Sequence, residues 1–348
     1  VAHAASLFLN ADITHRFLEG VMALTQDKAS RISPAQEPNV KTGGKPKPSS
    51  LRKYQTRWAW IFLSPWIIGF LLFTFIPVVA TLGFSFTNYN PVTPELTKFV
   101  GVQNYVRMVS DPQVANSLLV TLRYAVLAIP ITLGFGLFLA SLVNAENLAG
   151  QSFFRTMFYM PSMIPVVAAG LIWAGVMNTQ TGWINLTLEA VGLPGPDWLN
   201  STFWIYPALV LIGLWATGNL MLTLMAGMQG VPNELYEAAS IDGANAWVRF
   251  RHVTIPMISP VLFYNLTLMV IGAFKYFDMA YILKNGTGGP DGATLFYNLN
   301  LYKNAFEYNL MGYGSALAWV LFLIVFVLAI VLFGTSGRWV YYAGEGKK

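Results

Sequence analysis

Glu237-Ala238-Ala239-Ser240-Ile241-Asp242-Gly243-Ala244 lies in a short polar gap between two long apolar runs, and the fold is read outward from it. Pro232 opens the segment, and proline suits a first helical turn because the N–H there has no partner. Glu234 to Ala239 then spell a short helix with its acidic groups near the positive end of the helix dipole. Ala238 and Ala239 carry almost no side chain, so another protein's backbone can approach that face closely. Asp242-Gly243 is a turn signal, since glycine adopts backbone angles that other side chains penalise. A second helical piece is expected from Ala246 to His252, with Pro256 and Pro260 leading into the next apolar run. The segment reads as a helix–turn–helix and a docking element.

Composition says what surrounds it. Of 348 residues, 55% are apolar and only 11% charged, against roughly 25% charged in soluble domains. A soluble chain so poor in charge could not cover its own surface, so this is an integral membrane protein. The net charge of +5 is concentrated in membrane flanks and tails, which argues against nucleic acid as a partner. The absence of cysteine excludes disulfides, iron–sulfur clusters and cysteine zinc sites. His3, His15 and His252 form no ligand cluster. No metal site and no cofactor are expected.

Six apolar runs, each near or above the roughly 20 residues that span a bilayer, follow a polar start. They cover residues 58–86, 117–143, 153–177, 203–228, 257–281 and 312–335, which predicts an all-α protein with six transmembrane helices. Prolines inside them mark kinks more than ends, and Pro161-Ser162-Met163-Ile164-Pro165 is the clearest bend. Residues 1–50 contain a proline-, glycine- and lysine-rich stretch that cannot bury enough apolar surface to fold alone, and they read as a disordered cytoplasmic tail. Residues 51–338 form the membrane domain, with the polar loop at 229–256, and residues 339–348 a second cytoplasmic tail. Arg52, Lys53, Arg57, Arg155, Arg249, Arg251, Arg338, Lys347 and Lys348 fall on one side of a six-span chain, whereas residues 178–202 have no Lys or Arg. The positive-inside rule therefore places both termini and the Glu237 loop in the cytoplasm. Arg249 and Arg251 are read as anchors at lipid headgroups.

No catalytic constellation is present. Gly44-Lys45 is followed by Pro46 and has Asn39 where a phosphate loop needs its first glycine, so this chain does not bind ATP through a Walker motif. Two faces suit a polar solute with apolar C–H surfaces. Ile212, Trp215, Ala216 and Asn219 share helical spacing in the fourth run, as do Met269, Gly272, Ala273 and Tyr276 in the fifth. Trp215, Asn219, Gly272 and Tyr276 are the candidate path residues, and ordinary helix packing is the competing reading of the same spacing. Lys275 and Asp278, three apart, are read as a local ion pair.

Glu237-Ala-Ala-Ser-Ile-Asp-Gly-Ala244 with Phe250, Ile255-Pro256 and Pro260 resembles the cytoplasmic loop of ABC importer permeases. Phe277-Asp278-Met279-Ala280-Tyr281-Ile282-Leu283, Gly288-Gly289-Pro290 and Gly312-Tyr313-Gly314-Ser315-Ala316 resemble the wording of the carbohydrate-uptake branch, the maltose and glycerol-3-phosphate type. One departure is Lys284-Asn285-Gly286-Thr287 before Gly288, where that branch has a shorter link. The resemblance runs from about Trp58 to Arg338 and implies a type I ABC importer permease fold in a bacterial plasma membrane. It implies that Glu237, Ala238, Ala239, Asp242, Gly243 and Ala244 couple the chain to ATPase subunits. It further implies a second homologous permease, two ATP-binding subunits, an extracytoplasmic substrate-binding protein, and a sugar or polyol as solute. The chain would then be a transport subunit and not an enzyme. An ion-coupled secondary transporter is the alternative, and it calls for internal repeats and midplane ionisable groups, whereas the sequence shows no convincing repeat and the middles of its spans are almost free of charge.

Overall fold

The computed structural model describes residues 50–145 and 148–341, with side chains from Tyr54 onward. Nearly all of the expected N-terminal tail and residues 342–348 of the C-terminal one lie outside the described residues, as do the side chains of Arg52, Lys53, Lys347 and Lys348. The chain divides into two compact units, Val1–Ile67 and Ile68–Lys348. In the first unit the described residues are helical. Tyr54, Trp58 and Phe62 follow one another at four-residue spacing, their rings 6.1 and 5.9 Å apart. This helix, α1 (Ser50–Phe70), belongs to an apolar helical run, Tyr54–Ser85, long enough to cross a membrane.

The second unit contains α2 (Ile76–Ser85), α3 (Gln103–Ser110) and the long α4 (Pro112–Val143). It continues with α5 (Gln151–Tyr159), α6 (Val166–Val176), α7 (Trp183–Ala190), α8 (Ile205–Trp215) and α9 (Gly218–Gln229). The polar loop supplies α10 (Asn233–Ile241) and α11 (Ala246–Arg249). Then come α12 (Ser259–Phe274), α13 (Asp278–Lys284), α14 (Tyr297–Tyr302) and α15 (Met311–Ser336). Among the described residues four helical runs are long and apolar enough to span a bilayer, and counting the bent pairs α5–α6 and α8–α9 as one span each gives six. That is the expected number. The second span starts five residues before the apolar run does, because Asp111 caps it: its Oδ1 accepts the Gln113 N–H at 2.9 Å and Pro112 fills the first helical position.

Three spans differ from uninterrupted helices. The third bends by 99° between Met163 and Val166, at the Pro161–Pro165 segment anticipated from the sequence. Pro165 pushes Ile164 out of the helical region to φ −75°, ψ 128°. The fourth bends by 55° at Ala216-Thr217, where there is no proline. The fifth stops at Phe274 and resumes at Asp278. These last two breaks correct the reading of residues 203–228 and 257–281 as single helices.

Helix α4 is the spine of the unit and packs on α8, α9, α12 and α14. Its first half contributes Val120, Tyr124 and Ala128 to a core with Ile205, Leu209, Met279 and Phe296. Its second half places Leu139, Ala140 and Val143 against Met221, Leu224, Met228 and Ile258. Tyr297, on α14, is almost fully buried, and its hydroxyl donates to the Leu317 carbonyl at 3.1 Å. Burial pushes that hydroxyl far above the ordinary tyrosine range, so it stays protonated.

Gly218 opens α9 where the span bends. A Cβ there would lie 2.7 Å from both the Phe158 carbonyl oxygen and the Tyr159 Cα. Backbone cannot yield as a flexible side chain can. Gly218→Ala is therefore expected to cost about 1–3 kcal/mol through overpacking, read as a lower thermal midpoint of the purified protein in detergent. Gly213→Ala, on α8 with open space around the added carbon, should change stability by no more than about 0.5 kcal/mol.

Candidate functional site

The polar loop is built as a rigid pair of short helices. Pro232 holds an extended backbone (φ −60°, ψ 135°) before α10, and Glu234 occupies the first turn. The helix ends in a Schellman motif: Ala244 N–H donates to the Ala239 carbonyl at 2.9 Å and Gly243 N–H to the Ser240 carbonyl at 3.1 Å. Gly243 sits at φ +78°, the left-handed geometry this motif needs and that glycine adopts without a steric penalty. Asn245 then caps α11, its Oδ1 accepting the Val248 N–H at 3.0 Å. The second helical piece does not stop at His252 as anticipated. A π turn over Phe250–Thr254 carries it on to Met257.

Side chains lock the two pieces together. Arg249 Nη1 donates to Ser240 Oγ at 3.0 Å, and Ser240 Oγ donates to the Tyr236 carbonyl at 2.6 Å. Tyr236 and Thr254 pair their hydroxyls at 3.0 Å. Arg249 thus has a defined partner inside the loop and joins its two helices, a contact the sequence reading did not give it. Glu237 is exposed, and with Asn233, Tyr236, Ser240, Ile241 and Arg249 it lines a cavity of about 480 Å³. Ala238 is exposed and Ala239 half-buried; Asp242 and Gly243 are exposed at the turn and Ala244 is half-buried. Ile241 in that lining and Trp247 on α11 are 87% and 67% exposed, and Trp247 stacks on Phe250 at 5.8 Å. Sequence reasoning passed over both apolar side chains. Their signal was there: a tryptophan and an isoleucine in a segment too polar to need them for a core.

Within the membrane region a second cavity, about 470 Å³, opens where the bent spans meet. Pro161, Trp173, Leu214, Trp215 and Thr217 line it, with Phe135 and Leu139 of α4 behind. Trp173 and Trp215 meet edge to face at 5.7 Å. The Trp173 indole N–H is buried and has no partner among the described residues.

Of the candidate path residues, Trp215 lies in this wall. Asn219 is exposed on α9 beyond the bend, so the 212–219 positions do not form one continuous helical face. Ile212 is buried in the core. Gly272 is exposed on α12, whereas Tyr276 lies past that helix's end, its ring 4.5 Å from Tyr124 and 4.8 Å from Phe296. The same break separates Lys275 from Asp278, and the ion pair read from their spacing does not form. Among the described residues the ion pair that does form is Lys303–Glu307, at 3.6 Å. Lys275 instead contributes its carbonyl, which accepts from Asn298 Nδ2 at 3.3 Å.

Residues 132–343 match the protein family described as binding-protein-dependent transport system inner membrane component. A probable ABC transporter permease protein, YesP of Bacillus subtilis, is 41% identical over 86% of this chain and 96% of its own length. The arabinooligosaccharides transport system permease protein AraP of the same organism is 32% identical over 82% of this chain and 90% of its own. The lactose transport system permease protein LacF of Rhizobium radiobacter is also 32% identical, over 82% and 96%. In fold, the chain is similar to a protein in the crystal structure of a bacterial alginate ABC transporter in complex with an alginate pentasaccharide-bound periplasmic protein. The TM-score is 0.71 at 19% identity, covering 83% of this chain and 97% of that one.

The Asn245 cap is separable from the rest of the loop. Asn245→Ala should destabilise α11 by about 1 kcal/mol, which makes hydrogen exchange at Val248 and Arg249 roughly fivefold faster. Asn245→Asp, which keeps the acceptor, should restore most of the protection.

Proposed function

The chain belongs to the family of binding-protein-dependent transport system inner membrane components, and from that membership we propose how it couples to its partners and what it carries. It is a multi-pass membrane permease of an ABC importer, a transport subunit and not an enzyme. Such permeases work with a substrate-binding protein and ATPase subunits. In our reading the complete assembly has a second, homologous permease, two ATP-binding subunits and an extracytoplasmic binding protein. Both termini and the Glu237 loop face the cytoplasm. Residues 1–50 and 339–348 are tails flanking the membrane domain.

The loop is the element that docks to an ATPase subunit. The observation that carries this is the combination of an exposed carboxylate, Glu237, with exposed Ile241 and Trp247 on a helix pair locked by the Ser240–Arg249 and Tyr236–Thr254 bonds. A docking surface must resist deformation if movement of the partner is to reach the membrane, and this one is stiff by construction. Ala238 and Ala239 allow close approach, and Asp242, Gly243 and Ala244 set the angle to the second helix.

The solute is a sugar or sugar-like molecule. The names of the relatives AraP and LacF, which state arabinooligosaccharides and lactose transport, support this class. So does the chemistry of the cavity at the two bends: indole faces for sugar C–H surfaces, the unpaired Trp173 N–H to donate to a sugar oxygen, and the Thr217 Oγ1, whose proton goes to the Leu214 carbonyl, to accept from a sugar hydroxyl. Trp215 is the residue we assign to the path first, with Asn219, Gly272 and Tyr276 further along it.

In the reconstituted complex, Glu237→Lys should lower substrate-stimulated ATP hydrolysis by roughly tenfold or more, since losing a paired interfacial charge typically costs about 2–5 kcal/mol, while membrane insertion stays normal. Uptake that persists without ATPase subunits and ignores the reversal would return the reading to an ion-coupled transporter. Trp215→Ala should raise KM for uptake roughly two- to tenfold, the loss of about 0.5–1.5 kcal/mol of aromatic contact, with basal ATP hydrolysis unchanged.

A further inference from the structure

Helix α3 and the strap that leads to it form a surface that neither coupling nor solute passage uses. The strap is pinned to the end of the first span: Val100 N–H donates to the Phe86 carbonyl at 2.9 Å, and Lys98 N–H to Asn88 Oδ1 at 2.6 Å. The helix itself is bolted on by one face. Asn104 Nδ2 donates to the Ser85 and Thr87 carbonyls at 2.9 and 2.8 Å, Tyr105 hydroxyl donates to Ser85 Oγ at 2.7 Å, and Met108 is buried. The Arg107 guanidinium lies 4.3 Å from the centre of the Tyr313 ring, and the Tyr313 hydroxyl donates to Asp111 Oδ2 at 2.9 Å. This short helix therefore joins the ends of three spans: the close of the first, the start of the second and the start of the last.

At about 100° per residue the helix divides into three sectors, each roughly a third of its circumference. Asn104, Tyr105 and Met108 face the protein. Gln103, Arg107 and Ser110 form an exposed polar sector. Val102, Val106 and Val109 form the third, 61%, 65% and 91% exposed, and Phe99 in the strap is 79% exposed. A helix in water has no use for the valine sector, and one buried among helices has no use for the polar sector. A helix lying in the plane of a membrane boundary, against the flank of a bundle, needs all three. The valine sector also lacks what a specific protein contact concentrates, namely tryptophan, tyrosine or arginine anchors in a packed centre. It offers aliphatic area and nothing to hydrogen-bond.

We propose that α3 is an interfacial membrane anchor: Val102, Val106 and Val109, with Phe99, sit at the headgroup–acyl boundary of the leaflet opposite the Glu237 loop. Counting spans fixes that side, because segment 86–111 follows one crossing and the Glu237 loop follows four. Seated there, α3 holds the ends of the first, second and last spans at one depth in the bilayer, and the polar sector with Lys98 stays among headgroups and water.

The chain has no cysteine of its own, which makes the test direct. Single variants Val106→Cys, Val109→Cys, Gln103→Cys and Ser110→Cys are spin-labelled in the complete importer, reconstituted in phosphatidylethanolamine–phosphatidylglycerol vesicles, with ATP-driven uptake confirming that each assembly is intact. The ratio of collision with oxygen, which concentrates in lipid, to collision with a water-soluble nickel chelate should be severalfold higher at positions 106 and 109 than at 103 and 110. Equal ratios at all four positions, with free access to the nickel chelate, would mean a helix standing in water and would overturn the proposal. So would labels at 106 and 109 that neither reagent reaches, which would show a protein partner covering the valines.

Discussion

A peptide group inside a bilayer must find its hydrogen-bond partner within the protein, because no water is there to supply one. Everything irregular in this molecule is arranged under that constraint. Where the fourth span bends, Ala216 and Thr217 still donate to the Gly213 and Leu214 carbonyls, at 3.2 and 3.3 Å, and the Thr217 hydroxyl donates to Leu214 as well, at 2.7 Å. The carbonyl of Thr217 is taken up by Met221 N–H at 2.9 Å, so the next helix begins without a gap in the accounting. In the third span the bend falls where Pro165 has no N–H to satisfy, and the Pro165 carbonyl is used at once by Ala169. In the fifth, a side-chain amide from the next element, Asn298, closes on the freed Lys275 carbonyl. The spans break only where short local bonds or a neighbour's amide keep the ladder paid up.

The same constraint explains the polar chemistry buried along the spine. Ser117 and Thr121 are buried on α4, where an unpaired hydroxyl would be costly. Thr121 donates to the Ser117 carbonyl at 2.8 Å and accepts the backbone N–H of Tyr297 at 2.9 Å, while Ser117 Oγ receives Asn300 Nδ2 at 3.4 Å. Asn304 then donates back to Asn300, reaching both its carbonyl and its Oδ1. A five-residue polar network thereby fixes the register of the short α14 against the long α4. Apolar packing alone would let one slide on the other, whereas directional bonds hold a single alignment.

What the sequence discloses and what it withholds follow from the same physics. Run length reports spans because the bilayer demands about 20 apolar residues, and the polar loop was legible because capping and turn chemistry are local: Pro232 and Asp242-Gly243 each act on their immediate neighbours. The third span's bend was legible because proline announces itself. The bend at Ala216-Thr217 was not, since no local rule forbids a helix there. It is set by Gly218 seating against the backbone of Phe158 and Tyr159, residues some sixty positions away in the chain. The helical-face reading of 212–219, and of Lys275 with Asp278, failed for that reason: periodicity presumes continuity, and continuity is a tertiary property. The Arg249 contact with Ser240 was missed by a different route. The positive-flank rule treats every basic residue near a membrane alike, but this one had a hydroxyl within reach on the adjacent helix.

The placement of the breaks bears on how a push at the loop would travel. Val231, where α9 leaves the membrane region, and Ile258, where the chain re-enters it, are buried in one cluster with Met221, Leu224 and Met228. Both ends of the polar loop are thus packed against α9, and a displacement of the loop carries that helix with it. Helix α9 is twelve residues long, a lever of about 18 Å, and its far end is the bend at Thr217. That bend is a wall of the apolar cavity in the membrane region, shared with Trp173 and Trp215. A close-packed helix moves as a unit and does not absorb strain along its length. Under the coupling proposed for the Glu237 loop, the bend itself would be the soft point, and the tryptophan-lined cavity the first place in the membrane region where motion of the loop would change the shape of the protein.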